Sequence, residues 1–378
     1  MRYLFPLNPY NQQRQYQKPV FVYPVHMAMY ATYLRNQGHE VHWSSSNDLF
    51  DPLIDRTAVI LGEKGLLKDE FKIIKDDFQI DIPFEKLPYP DRIFTDAKNK
   101  RWQSYGNYKY HPATHMMASN LCWYGKCTFC IDTAKLEAGE KRGVRSVDHV
   151  MEEIDDLISK GYREVFDDSG TFPVGKWLEE FCHKMNQCPK KQISDSLIYL
   201  HGNLTFKPKS YLGKRKDYIK IGCNMKPVKL DYKMLKDAGF RFILTGIESA
   251  NQKTVDKIKK GQRSEDIIPI MKSMSDAGLE VHLTSMVGYE WETHEDAIRT
   301  VDLIYFLLRK GYIKTAQASV FMPPRTAPPK DHPAQKYVQK IYDVYKKPWY
   351  WWKKIMDIRH IEDITYLLKR LNHVKHAE

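Results

Sequence analysis

The stretch Thr114-His115-Met116-Met117-Ala118-Ser119-Asn120-Leu121-Cys122-Trp123-Tyr124-Gly125-Lys126-Cys127-Thr128-Phe129-Cys130 decides how the chain reads. A largely apolar run, Thr114 to Ser119, leads directly into three cysteines, with four residues in the first gap and two in the second. Three thiolates so close can hold three irons of a 4Fe–4S cluster, one thiolate per iron, which leaves a fourth iron open. A structural zinc site is the competing reading. It needs four closed ligands, and His111 or His115 is available as the fourth.

The rest of the composition narrows the class. The 378 residues include only six cysteines, and Cys182, Cys188 and Cys223 lie scattered. A disulfide framework needs paired, spread cysteines in an oxidising compartment, so three close thiols point to a metal. The net charge of +12 invites a nucleic-acid partner. The basic residues are interleaved with acids, as in Lys68-Asp69-Glu70 and Lys75-Asp76-Asp77, which is the pattern of solvated helix faces. A zinc-stabilised nucleic-acid-binding protein is thus the less favoured class. No run reaches the roughly 18 apolar residues of a membrane span. With no secretory pattern at the N-terminus, the expected address is cytoplasmic.

Working outward, the chain first shows an apolar strand at Tyr3 to Leu7, a helix at His26 to Gln37 stopped by Gly38, and strands at Glu40 to Trp43 and Ala58 to Leu61. Together they read as a small Rossmann-like α/β unit. Residues 64–112 read as a connector. From residue 113 the rhythm is regular. Ser146 to Ser159 is an amphipathic helix with Ser146 as N-cap. Glu164-Val165-Phe166 is a strand, Val174 to Met185 a helix, and Tyr218 to Gly222 a strand after an insertion. Phe240 to Gly246, Leu279 to Val287 and Ala316 to Phe321 complete six strands alternating with helices. That alternation implies parallel strands with helical crossovers, and so a partial (β/α)6 barrel. The expected divisions are residues 1–105, an α/β domain and connector; 106–328, the barrel; and 329–378, a helical extension.

The cysteine loop resembles that of the radical S-adenosylmethionine (radical SAM) superfamily, whose pattern is three residues and then two, with an aromatic residue before the third cysteine. Phe129 fits; the first gap is one residue longer than usual. Further segments follow at strand ends in the order the superfamily requires. Asp167-Asp168-Ser169 resembles the motif that receives the amino group of the methionine moiety. Cys223-Asn224 resembles the end of the third strand. Glu248-Ser249 is similar to the segment that binds ribose hydroxyls. Gly288 opens a segment in which Glu290 stands where relatives have proline, and is expected to let the backbone approach the cofactor. Met322 to Thr326 resembles the closing segment after the last strand. The resemblance implies that Cys122, Cys127 and Cys130 hold the cluster, and that reductive cleavage of S-adenosylmethionine gives a 5′-deoxyadenosyl radical. It implies an oxygen-sensitive enzyme that draws electrons from a donor such as flavodoxin or ferredoxin.

Within the superfamily, Tyr33-Leu34-Arg35 and Gly38-His39-Glu40-Val41 resemble the first steps of the cobalamin-binding domain of one branch, as does the tail near Tyr342-Asp343-Val344-Tyr345. Cobalamin is therefore a candidate third cofactor, although no Asp-x-His-x-x-Gly segment offers a lower cobalt ligand. Methyl transfer and cobalamin-free radical chemistry both stay open, on a small molecule, lipid or peptide. No catalytic residue is singled out. The cluster Trp349-Tyr350-Trp351-Trp352-Lys353-Lys354 suits either a membrane interface or, as the favoured expectation, a helix packed over the barrel mouth.

Overall fold

The computed structural model describes residues 1–6, 22–44, 72–74, 82–187, 199–203, 231–322 and 331–375. Two parallel sheets organise them. The smaller has the order β2-β1-β3, with β1 at Arg2–Pro6, β2 at Glu40–Ser44 and β3 at Lys72–Ile73. Helix α1, Val25–Asn36, connects β1 to β2 and buries Met27, Ala28, Ala31 and Leu34. Gly38 follows it with φ of 80°, the left-handed stop that the sequence marks. The expected strand at Ala58 to Leu61 lies outside the described residues.

The larger sheet carries six strands in sequential order, all parallel: β4 (Ala113–Met116), β5 (Glu164–Asp167), β6 (Tyr199–Asn203), β7 (Phe240–Glu248), β8 (Glu280–Val287) and β9 (Thr315–Val320). This is the expected partial (β/α)6 barrel, with one difference. The third place, between β5 and β7, is taken by Tyr199–Asn203, inside what the sequence reading treats as an insertion. The stretch Tyr218 to Gly222 and Asn224 lie outside the described residues. The apolar run Ser196-Leu197-Ile198-Tyr199-Leu200 was the signal for the strand; its polar flank His201-Gly202-Asn203 hid it.

Crossover helices bury one stripe each. Helix α4, Val147–Ser159, follows α2 (Lys100–Gln103) and α3 (Ile131–Glu137); its N-cap Ser146 accepts a hydrogen bond from the His149 N–H at 3.2 Å, and it buries Val150, Ile154 and Leu157. Helices α5 (Lys176–Gln187), α6 (Tyr232–Asp237), α7 (Gln252–Lys257), α8 (Ile267–Asp276) and α9 (His294–Lys310) follow the later strands. Thr293 caps α9 in a reciprocal box with Asp296.

Two buried ion clusters fix the connector and the barrel floor. Glu153, on α4, receives both Arg145 and Arg92, the latter from the connector, and all three side chains are essentially inaccessible. At the N-terminal strand ends Arg241 bridges Glu164 at 2.7 Å and Glu280 at 2.6 Å. Each guanidinium also donates to backbone carbonyls, of His115 and of Asn107, so the buried charges are paired and hydrogen-bonded as burial requires.

An open half-barrel has two edges whose free backbone groups need partners. Gln103 covers β4: its Oε1 accepts from the Ala113 N–H at 2.8 Å and its Nε2 donates to the Ala113 carbonyl at 2.7 Å. The C-terminal extension covers β9. Helix α10 (Gln335–Tyr342), the 3-10 turn Asp343–Lys346 and helix α11 (Pro348–Met356) bring three phenols to alternate residues of that edge, and α12 (Ile361–Lys375) follows them. Tyr345 accepts from the Ala316 N–H and donates to the Ala316 carbonyl, Tyr342 does the same at Ala318, and Tyr350 donates to the Lys314 carbonyl. Helix α12 then reaches the barrel floor, where Lys369 donates to the Gln103 and Tyr105 carbonyls and Arg163 pairs with Glu362. The tail therefore packs, as expected, but along an edge and under the floor rather than over the mouth. Glu153→Ala strips two buried guanidiniums of their carboxylate and should cost roughly 3–5 kcal/mol of stability, read as a lowered urea midpoint.

Candidate active site

The loop after β4 is clamped to the loop after β5 before it reaches the cysteines. Asp167, at the end of β5, accepts the Ala118 N–H at 2.7 Å, Ser169 accepts the Ser119 N–H at 2.9 Å, and the Asp168 N–H donates to the Met116 carbonyl at 2.8 Å. Two of the three residues read as cofactor contacts thus hold the loop. The Asp168 side chain stays exposed at this strand end.

The cysteine segment then turns tightly. Gly125 has φ of 53°, and a side chain there would meet Leu136 of α3 at 2.5 Å. Glycine alone tolerates both this left-handed backbone and the close approach. The Cys130 N–H donates to the Cys127 carbonyl at 3.1 Å, Thr128 donates to the Ile258 carbonyl, and the Tyr124 hydroxyl donates to the Lys259 carbonyl. The loop is thereby tied to the segment after α7. The Cys127 thiol is buried and those of Cys122 and Cys130 are half-buried. The Cys122 sulfur lies 3.2 Å from the Thr171 hydroxyl. Burial, and after it Asp132 and Cys122, push the Cys130 thiol up.

The facing wall comes from β7. Its register against β8 shifts between Gly246 and Glu248, and Glu248 sits at φ of 62°. A non-glycine residue in that region is strained, and such strain concentrates at functional sites. A side chain on Gly246 would lie 2.1 Å from the Glu248 carboxylate, so Gly246 makes room for it. The carboxylate pairs at 2.7 Å with Lys260, and both groups are less than a tenth exposed. Burial alone would lower the Lys260 amine. Glu248, and then Cys127 and Cys122, outweigh it and hold the amine above its usual range. Lys260 therefore joins the carboxylate wall to the thiols. Sequence reading missed it; a lysine twelve residues beyond Glu248 carries no local signal.

Other expected contacts are engaged elsewhere. The Ser249 hydroxyl donates to Glu292 at 2.7 Å, and Asn251 and Thr254 donate to the same oxygen. Gly288, with φ of 87°, has the space of its missing side chain filled by Ala334 at 2.4 Å and His332 at 3.3 Å. It admits the C-terminal extension. Beside it Tyr289 stacks on Phe321 with 4.5 Å between centroids. Its buried hydroxyl, and the second oxygen of Glu292, have no hydrogen-bond partner among the described residues.

Three reduced thiols on one loop, a strained carboxylate paired with a buried amine opposite, and orphaned polar atoms between them make a donor set that fits an iron–sulfur cluster with a polar cofactor beside it. Among the described residues no three His, Cys, Asp or Glu side chains converge on a single ion. Thiolates that each serve a separate iron need not converge.

The model of the radical SAM superfamily matches residues 116–304, half of the chain. The chain belongs to the radical SAM superfamily. It is an enzyme, and the superfamily's cofactors are a 4Fe–4S cluster and S-adenosylmethionine. No curated protein matches the sequence. Among solved structures, this radical SAM chain is similar to the radical S-adenosylmethionine methyltransferase TsrM from Kitasatospora setae with cobalamin and a 4Fe–4S cluster bound, at 16% identity over 55% of this chain and 34% of that one, TM-score 0.41. It is similar to methylornithine synthase, PylB, at 15% identity over 68% of each chain, TM-score 0.41. It is similar to the cobalamin-dependent S-adenosylmethionine radical enzyme OxsB at 16% identity over 86% of this chain and 45% of that one, TM-score 0.43. The chain spans about a third of the TsrM chain, and its family assignment rests on the matched stretch alone.

At the end of β5 in this radical SAM barrel, burial raises the Asp167 carboxyl from 3.8 to about 7, against hydrogen bonds from Ser169 and Ala118. Between pH about 4 and about 7 the folded chain holds protons that the unfolded chain has released, so stability falls as pH rises through that window. Asp167→Asn should flatten this decline in melting temperatures measured on the cofactor-free protein.

Proposed function

We propose that Cys122, Cys127 and Cys130 each hold one iron of the 4Fe–4S cluster, and that S-adenosylmethionine is held between this loop and the Glu248–Lys260 wall. The observation that carries this reading is the buried amine of Lys260, bonded to Glu248 and under the electrostatic influence of Cys127 and Cys122. When bound, these groups supply reductive cleavage of the sulfonium and hydrogen-atom abstraction from a substrate. The chain's own residues bind and orient. Asp168 is the member of its triplet left to meet an ammonium, which offers only donors. Glu248, paired with Lys260, offers acceptor oxygens to a pair of ribose hydroxyls. Asp167, Ser169, Ser249 and Glu292 position the loops that carry these groups. Asn203 ends the third strand. Gly288 has no cofactor role in this reading.

The substrate is a small molecule, lipid or peptide entering the mouth, and electrons come from a flavodoxin- or ferredoxin-like donor in the cytoplasm. Residues 1–105, 106–328 and 329–378 serve as an accessory α/β domain, the catalytic barrel and an edge-covering extension. A second reading, cobalamin-dependent methyl transfer, is favoured by the order β2-β1-β3. That order puts a topological switch between β1 and β3, where doubly wound sheets bind their ligands. Anaerobic titration with cobalamin separates the two: a flat titration removes methyl transfer through cobalt. Cys127→Ala should remove the brown chromophore and 5′-deoxyadenosine formation together. A variant that keeps both excludes Cys127 as a ligand, and stoichiometric zinc without iron or sulfide in the anaerobically purified protein overturns the assignment.

A further inference from the structure

The aromatic tail splits into two sets with opposite destinations. Tyr342, Tyr345 and Tyr350 turn inward onto the edge of β9, whereas Trp352 is 65% exposed. With it on α11 stand Ile355 and Met356, at spacings of three and four residues and exposed by 47% and 67%. Helix α12 repeats the pattern with Ile361, Ile364 and Leu368, exposed by 67%, 40% and 55%. Each helix therefore packs one face on the barrel and presents a second apolar stripe to solvent, and single scattered hydrophobic residues do not account for two such stripes on successive helices.

The charges around these stripes are sorted by sign. The acids of the two helices and their junction are neutralised by barrel cations: Asp357 by Lys314, Glu362 by Arg163 and Asp363 by Lys109. The exposed bases Arg309, Lys310, Lys347 and Arg359 make no ion pair among the described residues. Lys310 lies over the ring of Phe306, itself exposed at the end of α9. An apolar stripe holding a tryptophan and bordered by uncompensated Lys and Arg has the composition that seats a helix in the headgroup layer of an anionic bilayer. A second copy of the chain is a poor occupant, since a two-fold interface would set this cationic border against itself. A nucleic acid offers nothing to Ile, Met and Leu side chains.

We propose that α11 and α12 form a peripheral docking surface for an anionic lipid membrane, with Trp352 at headgroup level. The described helices are too short and too polar to span one, so attachment is interfacial. The inner face of α12 lies under the N-terminal strand ends, and the thiols lie beyond the opposite ends. Docking therefore leaves the mouth facing away from the bilayer, and the surface tethers the enzyme without feeding it lipid. The inference stands apart from the assignment of the cysteines.

The test is cosedimentation of the full chain, purified anaerobically, with phosphatidylcholine vesicles and with vesicles that also contain phosphatidylglycerol. The partition coefficient should rise by about tenfold or more with the anionic lipid, and fall again as salt is added. Trp352→Ser, Ile361→Ser and Leu368→Ser combined should abolish binding with the melting temperature unchanged, because only exposed groups are removed. Absence of sedimentation with either vesicle overturns the proposal. So does binding that survives the triple substitution, or a dimer in analytical ultracentrifugation that the substitution dissolves. Should the triple variant not fold, the salt and lipid dependence of the unaltered chain decides alone.

Discussion

The clamp between the first two strand-end loops is the interaction on which the site depends. A carboxylate buried at the end of β5 has to satisfy its oxygens, and Asp167 does so with backbone N–H groups of Ala118 and Ser169. In doing so it fixes where the chain leaves β4, and so where the three thiols point. Its raised pKa shows the cost of that burial; the arrangement holds because the hydrogen bonds offset most of it. Ser169 and Asp168, through its backbone, add two more bonds between the same loops. The cysteine loop is thus rigidly hung from its neighbour, while Thr128 and Tyr124 tie its far side to the segment that carries Lys260.

A barrel that does not close exposes two strand edges, and this chain covers each with side chains. A glutamine amide pairs with β4 as a strand would, and phenols do so along β9. Tyrosine suits the purpose because its ring packs against the core while its hydroxyl both donates and accepts. The solution also shapes the surface. Once the tyrosines are committed inward, the intervening residues of the same short helices have to face out, and Trp352 and Ile355 are among them.

Most of the architecture was legible because it follows from local rules. Alternating apolar runs and amphipathic stretches fix parallel strands with helical crossovers, and a cap such as Ser146 marks its own position. The third barrel strand was misread because Tyr199–Asn203 is short and half polar; its place is decided by pairing with β5 and β7, which is a tertiary matter. The close neighbour of Gly288 was hidden for a related reason. The sequence shows that a side chain is absent, but only the fold shows that Ala334 fills the space.

By itself the sequence determined the three thiols, their spacing and the alternation of strands and helices, because each depends on residues close along the chain. Only the tertiary structure decided which members of Asp167-Asp168-Ser169 hold the loop and which stays exposed. It alone paired Glu248 with Lys260 and sent Tyr342, Tyr345 and Tyr350 inward and Trp352 outward. Those outcomes depend on which buried polar atom finds which partner across the fold, and burial imposes that requirement only once the strands have come together.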